Sequence, residues 1–477
     1  MISADRRQEL LDRLAALPPD RRAAMRRSLD SSRTEGRVWP LSFGQERLWF
    51  LSRFDPADTS YHVPWTIRLR GPADGGALEA ALGRIVERHE VLRTRFVMEG
   101  DRPGQVVLPP RPFALEHLDP RPDPDAAVAA YTGRPFDLRH DPPIRAALLR
   151  LGHDDHLLSI VVHHVAVDGW SLDVLMRELA ACYEAARRGG EPELAELPLQ
   201  YKDYAVWSRE RADGEGSGHL GHWRERLAGA PVLDLPTDRP RPARWTGRGG
   251  RCPLALPDAR TARLEAFLKG ERCTLFMGLL AVFHAVLGRA AGQDDVCVGV
   301  PVAGRDRTEF APLIGYFSNT LVLRGDLSGD PSLGELLRRT RVATLTALQH
   351  AEAPFERVLA AAGAPRDLSR PPLCQAMFNL SHHLPKADLL RATMADLSVA
   401  VWPPPPGGRT KSEISADLYR GPEGLGGWLE FNSDLFSTRR AEGLAADFAA
   451  LAGRLADEPD LRLSELKDIP GVLNVKP

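Results

Sequence analysis

Two adjacent histidines, His163 and His164, precede Asp168 in the segment HHVAVDGWS (163–171). An imidazole changes protonation near neutral pH, so it can take a proton from an amine or hydroxyl that attacks a thioester. Such an attack also needs hydrogen-bond donors aimed at the developing oxyanion. The alternative is a pair of structural histidines in a sheet beside a helix-capping aspartate. The combined pattern at a strand–helix junction favours a catalytic histidine over the structural alternative.

A strand and a helix must position these residues. Residues 155–165 are apolar and rich in Ile and Val, which predicts a buried strand. Residues 171–188 show helical spacing, with Ser171 at the expected N-cap. Neighbouring side chains on a strand point to opposite faces, so one histidine faces the reaction space and the other packs behind it. We expect Asp168 to turn back and fix the loop, and Gly169 to give that turn its backbone freedom.

Predicted strands and helices alternate along the rest of the chain, which indicates an α/β (α+β) fold. At 477 residues, two cores are a better expectation than one. A Pro/Gly/Arg-rich stretch at 235–250 is the predicted connection between the two lobes. Helices are expected over 259–292, 332–350 and 438–456, and strands over 295–302, 319–324 and 427–431. The expected domains are a helical leader (1–36), a lobe carrying the histidine motif (37–220), a second lobe (221–465) and a tail (466–477).

The composition narrows the classes of function. Lys and Arg number 62 and Asp and Glu 64, a net charge of 62 − 64 = −2, which argues against a nucleic-acid or polybasic membrane binder. The five cysteines are scattered without a CxxC pair, which indicates neither a disulfide framework nor a zinc site. The sequence shows no signal peptide and no apolar run of membrane-spanning length. We therefore expect a soluble cytoplasmic protein with no metal.

Seven motifs follow one another along the chain: LSFGQERLWFL (41–51), RHEVLRTRF (88–96), HHVAVDGWS (163–171), LQYKDYAVW (199–207), IGYFSNTLVLR (314–324), QHAEAPFERVL (349–359) and RDLSRPPL (366–373). In kind and order they resemble the condensation domains of nonribosomal peptide synthetases, relatives of chloramphenicol acetyltransferase. The resemblance extends over residues 40–466. It implies two chloramphenicol acetyltransferase-like lobes in a V-shaped pseudo-dimer with a central tunnel.

The resemblance also implies a role for each residue of the motif. Donor and acceptor arms would enter the tunnel from opposite faces and meet at His164, the catalytic residue. The backbone N–H of Gly169 would be the oxyanion donor. His163 and Asp168 would have structural roles in the active site, with Asp168 paired to Arg305 in the segment PVAGR.

Three further residues are candidates for lining the substrate tunnel: Trp170, Ser171 and Asn379. By the resemblance, Asn379 belongs to a segment, MFNL, that crosses between the lobes. A hydrogen bond that simply ties down this segment would explain Asn379 equally well. The segment TKSEI (410–414) replaces the AKFD-like segment usual in the family, so donor or acceptor specificity is expected to be unusual.

The implied function is an acyltransferase of natural-product and antibiotic biosynthesis. It would transfer an acyl or aminoacyl thioester from a peptidyl carrier protein to an amine, or to a hydroxyl, forming an amide or an ester. No bound cofactor is expected, because the phosphopantetheine arm comes with the carrier. The expected partners are such carriers and the acceptor, with no nucleic acid or membrane, and the protein is expected to be a monomer. Two alternatives are an epimerisation-type domain, which typically reads DGVSWR where this chain has DGWSLD, and a non-catalytic recruitment domain.

Overall fold

The computed structural model describes residues 36–120, 123–214, 217–363, 367–381, 394, 396–403 and 408–466. The helices in this part are α1 (Phe43–Phe54), α2 (Gly75–Arg88), α3 (Pro124–Thr132), α4 (Gly169–Arg187), α5 (Tyr201–Asp213), α6 (Ser217–Arg226), α7 (Asp258–Gly270), α8 (Leu275–Ala291), α9 (Leu333–Gln349), α10 (Phe355–Ala361) and α11 (Thr438–Asp457). The strands are β1 (Trp39–Pro40), β2 (His62–Arg70), β3 (Thr94–Glu99), β4 (Arg102–Val107), β5 (Leu115–Leu118), β6 (Ile144–Gly152), β7 (Asp155–His163), β8 (Arg248–Pro253), β9 (Leu256–Pro257), β10 (Asp295–Val302), β11 (Asn319–Asp326), β12 (Ala376–Ser381), β13 (Ser398–Val401), β14 (Gly408–Arg409), β15 (Ile414–Gly421) and β16 (Gly424–Asn432). The expected α/β fold is confirmed.

The strands form three sheets. A five-stranded sheet has the order β13-β2-β7-β6-β5, and an eight-stranded sheet has the order β11-β10-β12-β15-β16-β8-β14 with β9 added beside β16. A small third sheet has the order β1-β4-β3. The strand that leads to the histidine motif, β7, lies between β2 and β6 and is antiparallel to both. Its side chains from His156 to His163 are all buried, which explains their nearly continuous apolar character.

Two hydrophobic clusters fill the interior. The first contains the five-stranded sheet with α2 and α4, and the second contains the eight-stranded sheet with α8 and α11. The first cluster also takes in Phe310, Phe317 and Val399, which come from the expected second lobe. The boundary between residues 220 and 221 stays a prediction. The leader and the tail lie outside the described residues except for Gly36 and Leu466.

The stretch 235–250 does not connect the two clusters, so that prediction is wrong. Trp223 before it and Cys252 after it belong to the same, second cluster. Within the stretch, the N–H of Asp238 donates to the carbonyl of Leu435 at 2.8 Å. This hydrogen bond holds the first part of the loop against the second cluster's lobe, and proline and glycine suit such an irregular surface segment.

The segment MFNL does not cross between the lobes either. Asn379 lies in β12, which pairs in parallel with β10 on one side and β15 on the other, all in the eight-stranded sheet. The next described strand, β13, is antiparallel to β2 of the five-stranded sheet. Because β12 pairs with a strand on each side, MFNL is part of the interior of the eight-stranded sheet. The chain passes from this sheet to the five-stranded sheet only after Ser381.

The helix expected over 259–292 is two helices, α7 and α8, inclined at 103° to each other. Thr274 caps the second one by accepting the N–H of Met277 at 3.2 Å, and a cap of this kind starts a new helix. No single helix in the described ranges is long and apolar enough to cross a membrane, although the bent pair passes that test jointly. Every residue of α8 from Met277 to Gly288 is buried in the second cluster's lobe.

Candidate active site

His164 lies immediately after β7, in a single 3₁₀ turn (His164–Ala166). Its backbone N–H donates to the carbonyl of Tyr61 at 2.8 Å. Its ring Nδ1 lies 2.7 Å from the carbonyl oxygen of Val167. A carbonyl oxygen can only accept, so we assign the ring proton to Nδ1, which leaves the lone pair on Nε2. The ring is half-buried and lies edge to face against Tyr316, with 5.1 Å between centroids.

The protonation of His164 suits a proton acceptor. Burial, followed by the positive charge of Lys411, holds the pKa of His164 well below its usual value. The imidazole is therefore neutral at physiological pH, the form that a general base requires. A lowered pKa also means that the protonated ring gives up its proton more readily than an ordinary imidazolium.

His163 has different surroundings, as the alternation of a strand predicts. Its side chain is buried, and its Nδ1 accepts the N–H of Val165 at 3.1 Å. The ring packs edge to face against Phe136, with 6.1 Å between centroids. Burial lowers the pKa of His163 to about 3. A permanently neutral, fully buried imidazole of this kind supports the strand end without reaching a substrate.

Asp168 fixes the turn that follows His164. It is the N-cap of α4, and its Oδ1 accepts the N–H of Ser171 at 2.8 Å. The same oxygen accepts from Nη2 of Arg305 at 3.2 Å, while Oδ2 accepts the N–H of Phe317 at 3.0 Å. Both side chains of the ion pair are almost completely buried. The predicted pair of Asp168 and Arg305 is therefore present, and it ties the start of α4 to the loop after β10.

Arg305 makes further contacts with the loop after β10 and with α4, although its buried Nε has no hydrogen-bond partner among the described residues. Its Nη1 donates to the carbonyls of Phe310 and, at 3.0 Å, Leu313. Its Nη2 also donates to the hydroxyl of Ser171 at 2.7 Å. The guanidinium lies 4.0 Å from the centroid of the Phe317 ring. These contacts hold the charge in place, because a planar guanidinium can donate in several directions and stack on an aromatic face at once.

The remaining residues of the motif differ in exposure. Trp170 is 40% exposed, and its Nε1 donates to the carbonyl of Ala311 at 2.9 Å, so it remains a candidate for contact with a substrate. Ser171 is completely buried, and its hydroxyl lies 2.6 Å from Asp168 Oδ1 and 2.8 Å from the carbonyl of Gly315. Its prediction as a tunnel residue is wrong in this structure, because internal partners occupy the hydroxyl. Its prediction as the N-cap is also wrong, because Asp168 takes that position.

Gly169 is the first residue of α4 and is exposed. It is not among the glycines with positive φ, and a Cβ built on it would meet no atom within 4 Å. The turn therefore does not need the backbone freedom of glycine, which corrects the sequence prediction. The lack of a side chain instead leaves the N-terminus of α4 open to approach from solvent, where backbone N–H groups favour negative charge.

Lys411 was not predicted as a site residue, although it belongs to the TKSEI segment. Its Nζ lies 5.4 Å from the ring centroid of Tyr61, the residue whose carbonyl accepts the N–H of His164. The side chain is exposed to solvent, yet loss of hydration lowers its pKa to about 8. Both observations hold for a side chain inside a cleft, where water enters but protein surrounds the charge.

Asn379 lies on β12 of the eight-stranded sheet, and its Nδ2 donates to Oδ1 of Asp417 on β15 at 3.3 Å. The contact joins two strands of one sheet, so it does not tie down a crossing segment. Among the described residues, no group of three or more His, Cys, Asp or Glu side chains could hold a metal ion.

The geometry and the fold together define the class of protein. Solved structures place the mixed α/β fold among chloramphenicol acetyltransferase-like proteins. A family model described as the Condensation domain matches residues 35–471. The chain belongs to this family, the condensation domains of nonribosomal peptide synthetases.

Its curated relatives are larger proteins. The chain is 39% identical over 438 residues to one of the proteins that make up the linear gramicidin synthase of Brevibacillus parabrevis, a match to 90% of this chain and 6% of that protein. It is 37% identical over 481 residues to phosphinothricin tripeptide synthetase PhsC of Streptomyces viridochromogenes, a match to 96% of this chain and 44% of that protein. The chain thus spans less than half the length of either relative.

Solved structures also resemble the chain over most of its length. The X-domain from teicoplanin biosynthesis is 31% identical with a TM-score of 0.81, over 90% of this chain and 97% of that one. SgcC5 from Streptomyces globisporus is 28% identical with a TM-score of 0.71, over 89% of this chain and 100% of that one. The first condensation domain of the calcium-dependent antibiotic synthetase, at 22% identity and a TM-score of 0.73 over 90% and 99% of the chains, shows the fold alone.

Proposed function

We propose that the protein forms amide bonds by acyl transfer. An acyl or aminoacyl thioester on the phosphopantetheine arm of a peptidyl carrier protein would be passed to an amine, and a hydroxyl acceptor would give an ester by the same steps. The observation that carries the proposal is the contact between Nδ1 of His164 and the carbonyl oxygen of Val167, which assigns the ring proton to Nδ1. The two atoms are 2.7 Å apart, and Nε2 is left to accept a proton.

In the proposed reaction the nucleophile attacks the thioester carbonyl while Nε2 of His164 takes its proton. The backbone N–H of Gly169 donates to the oxyanion of the tetrahedral intermediate. Collapse of the intermediate breaks the C–S bond, and the imidazolium returns the proton to the departing thiolate. The products are an amide and a free phosphopantetheine thiol. Asp168 and Arg305 touch neither substrate and act by positioning the turn that carries His164 and Gly169.

The role of Gly169 can be tested with two substitutions at one position. Gly169→Pro removes the backbone N–H, and proline is accommodated at the first position of a helix. The preceding Asp168 is extended (φ −124°, ψ −177°), a conformation that tolerates a following proline. Gly169→Ala keeps the N–H, and its Cβ meets no atom within 4 Å. We expect Gly169→Pro to lower the single-turnover rate about 100- to 1,000-fold and Gly169→Ala to stay near the wild-type rate. Equal rates for the two variants would exclude Gly169 as the oxyanion donor.

The donor is expected to be recognised on its carrier. Holding both reactants beside His164 makes the reaction effectively intramolecular, and the carrier's surface contacts contribute to that binding. We expect kcat/KM for one acyl group to be about tenfold or more higher on the carrier than on coenzyme A, a difference of roughly 1.4 kcal/mol in carrier contacts. The measurement compares the two donors at one nucleophile concentration. Equal values would place the protein with acyl-CoA transferases instead.

Two other functions remain to be separated from this one. A recruitment role is favoured by the likeness to the X-domain from teicoplanin biosynthesis, which has been solved in a complex with OxyB. A protein with that role alone would bind a partner enzyme and leave loaded carriers unchanged. An epimerisation-type activity would carry solvent deuterium into the Cα of a carrier-bound aminoacyl group without condensation. The position of His164, half-buried with its Nε2 available, supports catalysis over recruitment.

A further inference from the structure

A surface pocket ends at the residue that packs against His164. The pocket is bordered by the start of α1, by α5, by the loop after β10 and by residues 351–356. Tyr316 also lines it, and the Tyr316 ring lies edge to face against the ring of His164, with 5.1 Å between centroids. His164 itself does not line the pocket. The ring of Tyr316 therefore stands where the pocket would otherwise reach the proposed base.

The pocket is too small for a bulky group. Its volume is about 80 Å³. One water molecule needs about 10–15 Å³ of such space, and a cavity that binds benzene measures about 150 Å³. The pocket therefore takes a few water-sized groups but no aromatic ring. A larger group that approaches His164 from this pocket has to displace the ring of Tyr316.

Gly44, near the start of α1, makes room for this ring. A Cβ built on Gly44 would lie 2.4 Å from Cε1 and 2.7 Å from Cδ1 of Tyr316. Carbon atoms of different side chains do not approach each other so closely, since their van der Waals contact lies near 3.5–4.0 Å. The start of α1 therefore accommodates the ring only because residue 44 has no side chain.

The backbone of Tyr316 is held more firmly than its ring. Its carbonyl accepts the hydroxyl of Tyr201 at 2.6 Å, and the same hydroxyl lies 2.8 Å from Oγ of Ser42. The N–H of the preceding Gly315 donates to the Ser171 hydroxyl at 3.0 Å. The Tyr316 hydroxyl, by contrast, makes no hydrogen bond with any residue that the structure describes. The ring can therefore change rotamer while the backbone that carries it stays in place.

We propose that Tyr316 is a specificity-determining residue, whose ring limits the size of the nucleophile that reaches His164. In the proposed function His164 takes a proton from the nucleophile, so a ring that packs against His164 borders that substrate. An amine with a small substituent fits beside Tyr316, whereas one with a bulky substituent requires the ring to move. The proposal rests on the proposed function for the identity of the nucleophile, but the size limit belongs to the pocket and is measured by binding.

The test removes the ring and offers a ligand that fills the space it leaves. Two stable pantetheine amides with a free α-amine serve as probes, glycyl without a side chain and phenylalanyl with a phenyl ring. Calorimetry measures their affinities for the wild-type protein and for Tyr316→Ala. We expect the variant to bind the phenylalanyl amide about tenfold or more tightly than the wild type, because burying a phenyl ring there contributes at least the ~1.4 kcal/mol that this requires. The affinity for the glycyl amide should change by less than about threefold. No gain for the phenylalanyl amide would overturn the proposal.

Two control variants assign the gain to this ring. Tyr316→Phe keeps the ring and lacks only the hydroxyl, so the ratio of its two affinities should match that of the wild type. Tyr419→Ala removes a half-buried tyrosine of β15 that does not line the pocket, and it should also keep the wild-type ratio. Melting temperatures check that each variant folds. A phenylalanyl gain of equal size in Tyr419→Ala would place the binding elsewhere and refute the proposal.

Gly44→Ala tests the contact from the other side. Its methyl group displaces the Tyr316 ring, so the ratio of the two affinities should change about threefold or more, as coupled neighbours typically cause. In the Tyr316→Ala background there is no ring to displace, and the same substitution should have little effect. Equal effects in the two backgrounds would contradict the contact on which the proposal rests.

Competition connects the size limit with the reaction. The two amides, at equal concentration, compete for one loaded carrier, and intact mass gives the ratio of the two products. We expect Tyr316→Ala to raise the share of the phenylalanyl product relative to the glycyl product about tenfold or more. Two donors of different acyl size that compete for one nucleophile should show no such shift. A shift among donors alone would mean that Tyr316 borders the thioester, which would overturn the proposal.

The two proposals fail separately. Binding of a stable amide needs no proton transfer, so an unchanged phenylalanyl affinity in Tyr316→Ala refutes the size limit whatever the protein does to loaded carriers. A protein that shows the gain in binding but never condenses a loaded carrier would refute the proposed function and leave the size limit standing.

Discussion

Replacing His164 with alanine is expected to lower the rate of condensation about 100- to 10,000-fold, the usual contribution of a general base. The variant should fold normally. It keeps the backbone N–H bonded to Tyr61 and loses one side-chain hydrogen bond, worth about 1 kcal/mol. The measurement is a single-turnover rate with saturating carrier-bound donor, so that chemistry and not product release is followed.

His153→Ala is the matched control for this substitution. His153 lies in the turn after β6 with 89% of its side chain exposed, and its removal should leave the rate unchanged. Melting temperatures of both variants check the fold. If His164→Ala keeps more than about a third of the wild-type rate while chemistry limits turnover, His164 is not the base, because the loss would fall far short of general-base catalysis.

Asp168→Ala is expected to cost about 3–5 kcal/mol of folding free energy, because it leaves the buried guanidinium of Arg305 without its counter-ion. The same change removes the N-cap of α4 and the acceptor of the Phe317 N–H. Activity should fall as well, since the turn that holds His164 loses its anchor. Denaturant unfolding measures the change in free energy. An Asp168→Ala protein as stable as the wild type would contradict the positioning role.

A double-mutant cycle separates the ion pair from the cap. Arg305→Met keeps an apolar stem over the Phe317 ring and removes the charge. Added to Asp168→Ala, it should recover part of the lost stability, because no buried charge is then left alone. The cap remains absent in the double variant, so recovery should be incomplete. Additive losses would mean that the two side chains, 3.2 Å apart, do not stabilise each other.

Much of the fold could be predicted because strands and helices depend on local patterns. The strand expected over 295–302 is found as Asp295–Val302, and the helix expected over 332–350 is found as Leu333–Gln349 with Ser332 as its cap. The N-cap of α4 was assigned wrongly because Asp168 and Ser171 both suit that position by residue type. The Ser171 hydroxyl accepts long-range hydrogen bonds from Nη2 of Arg305 and from the N–H of Gly315, and no local pattern contains those partners.

The histidine motif could be predicted from its own spacing and Arg305 only from the family resemblance, whereas Lys411 was missed. The histidine motif lies on one strand end and one helix start, so its spacing carried the prediction. Lys411 lies between β14 and β15, far along the sequence from the motif, and only the folded chain brings its charge near His164. The departure of TKSEI from the segment usual in the family was the available signal.

The central claim, that this protein condenses carrier-bound acyl groups, is tested most directly by intact mass. The wild-type protein is incubated with a panel of donors loaded on a carrier and with an amine, and the masses of carrier and product are followed. We predict that the carrier loses its acyl group and the amide appears together, only when protein and amine are both present, and that His164→Ala abolishes both changes. Loaded carriers that stay unchanged with every donor and amine, or amide formation that His164→Ala leaves intact, would contradict the account.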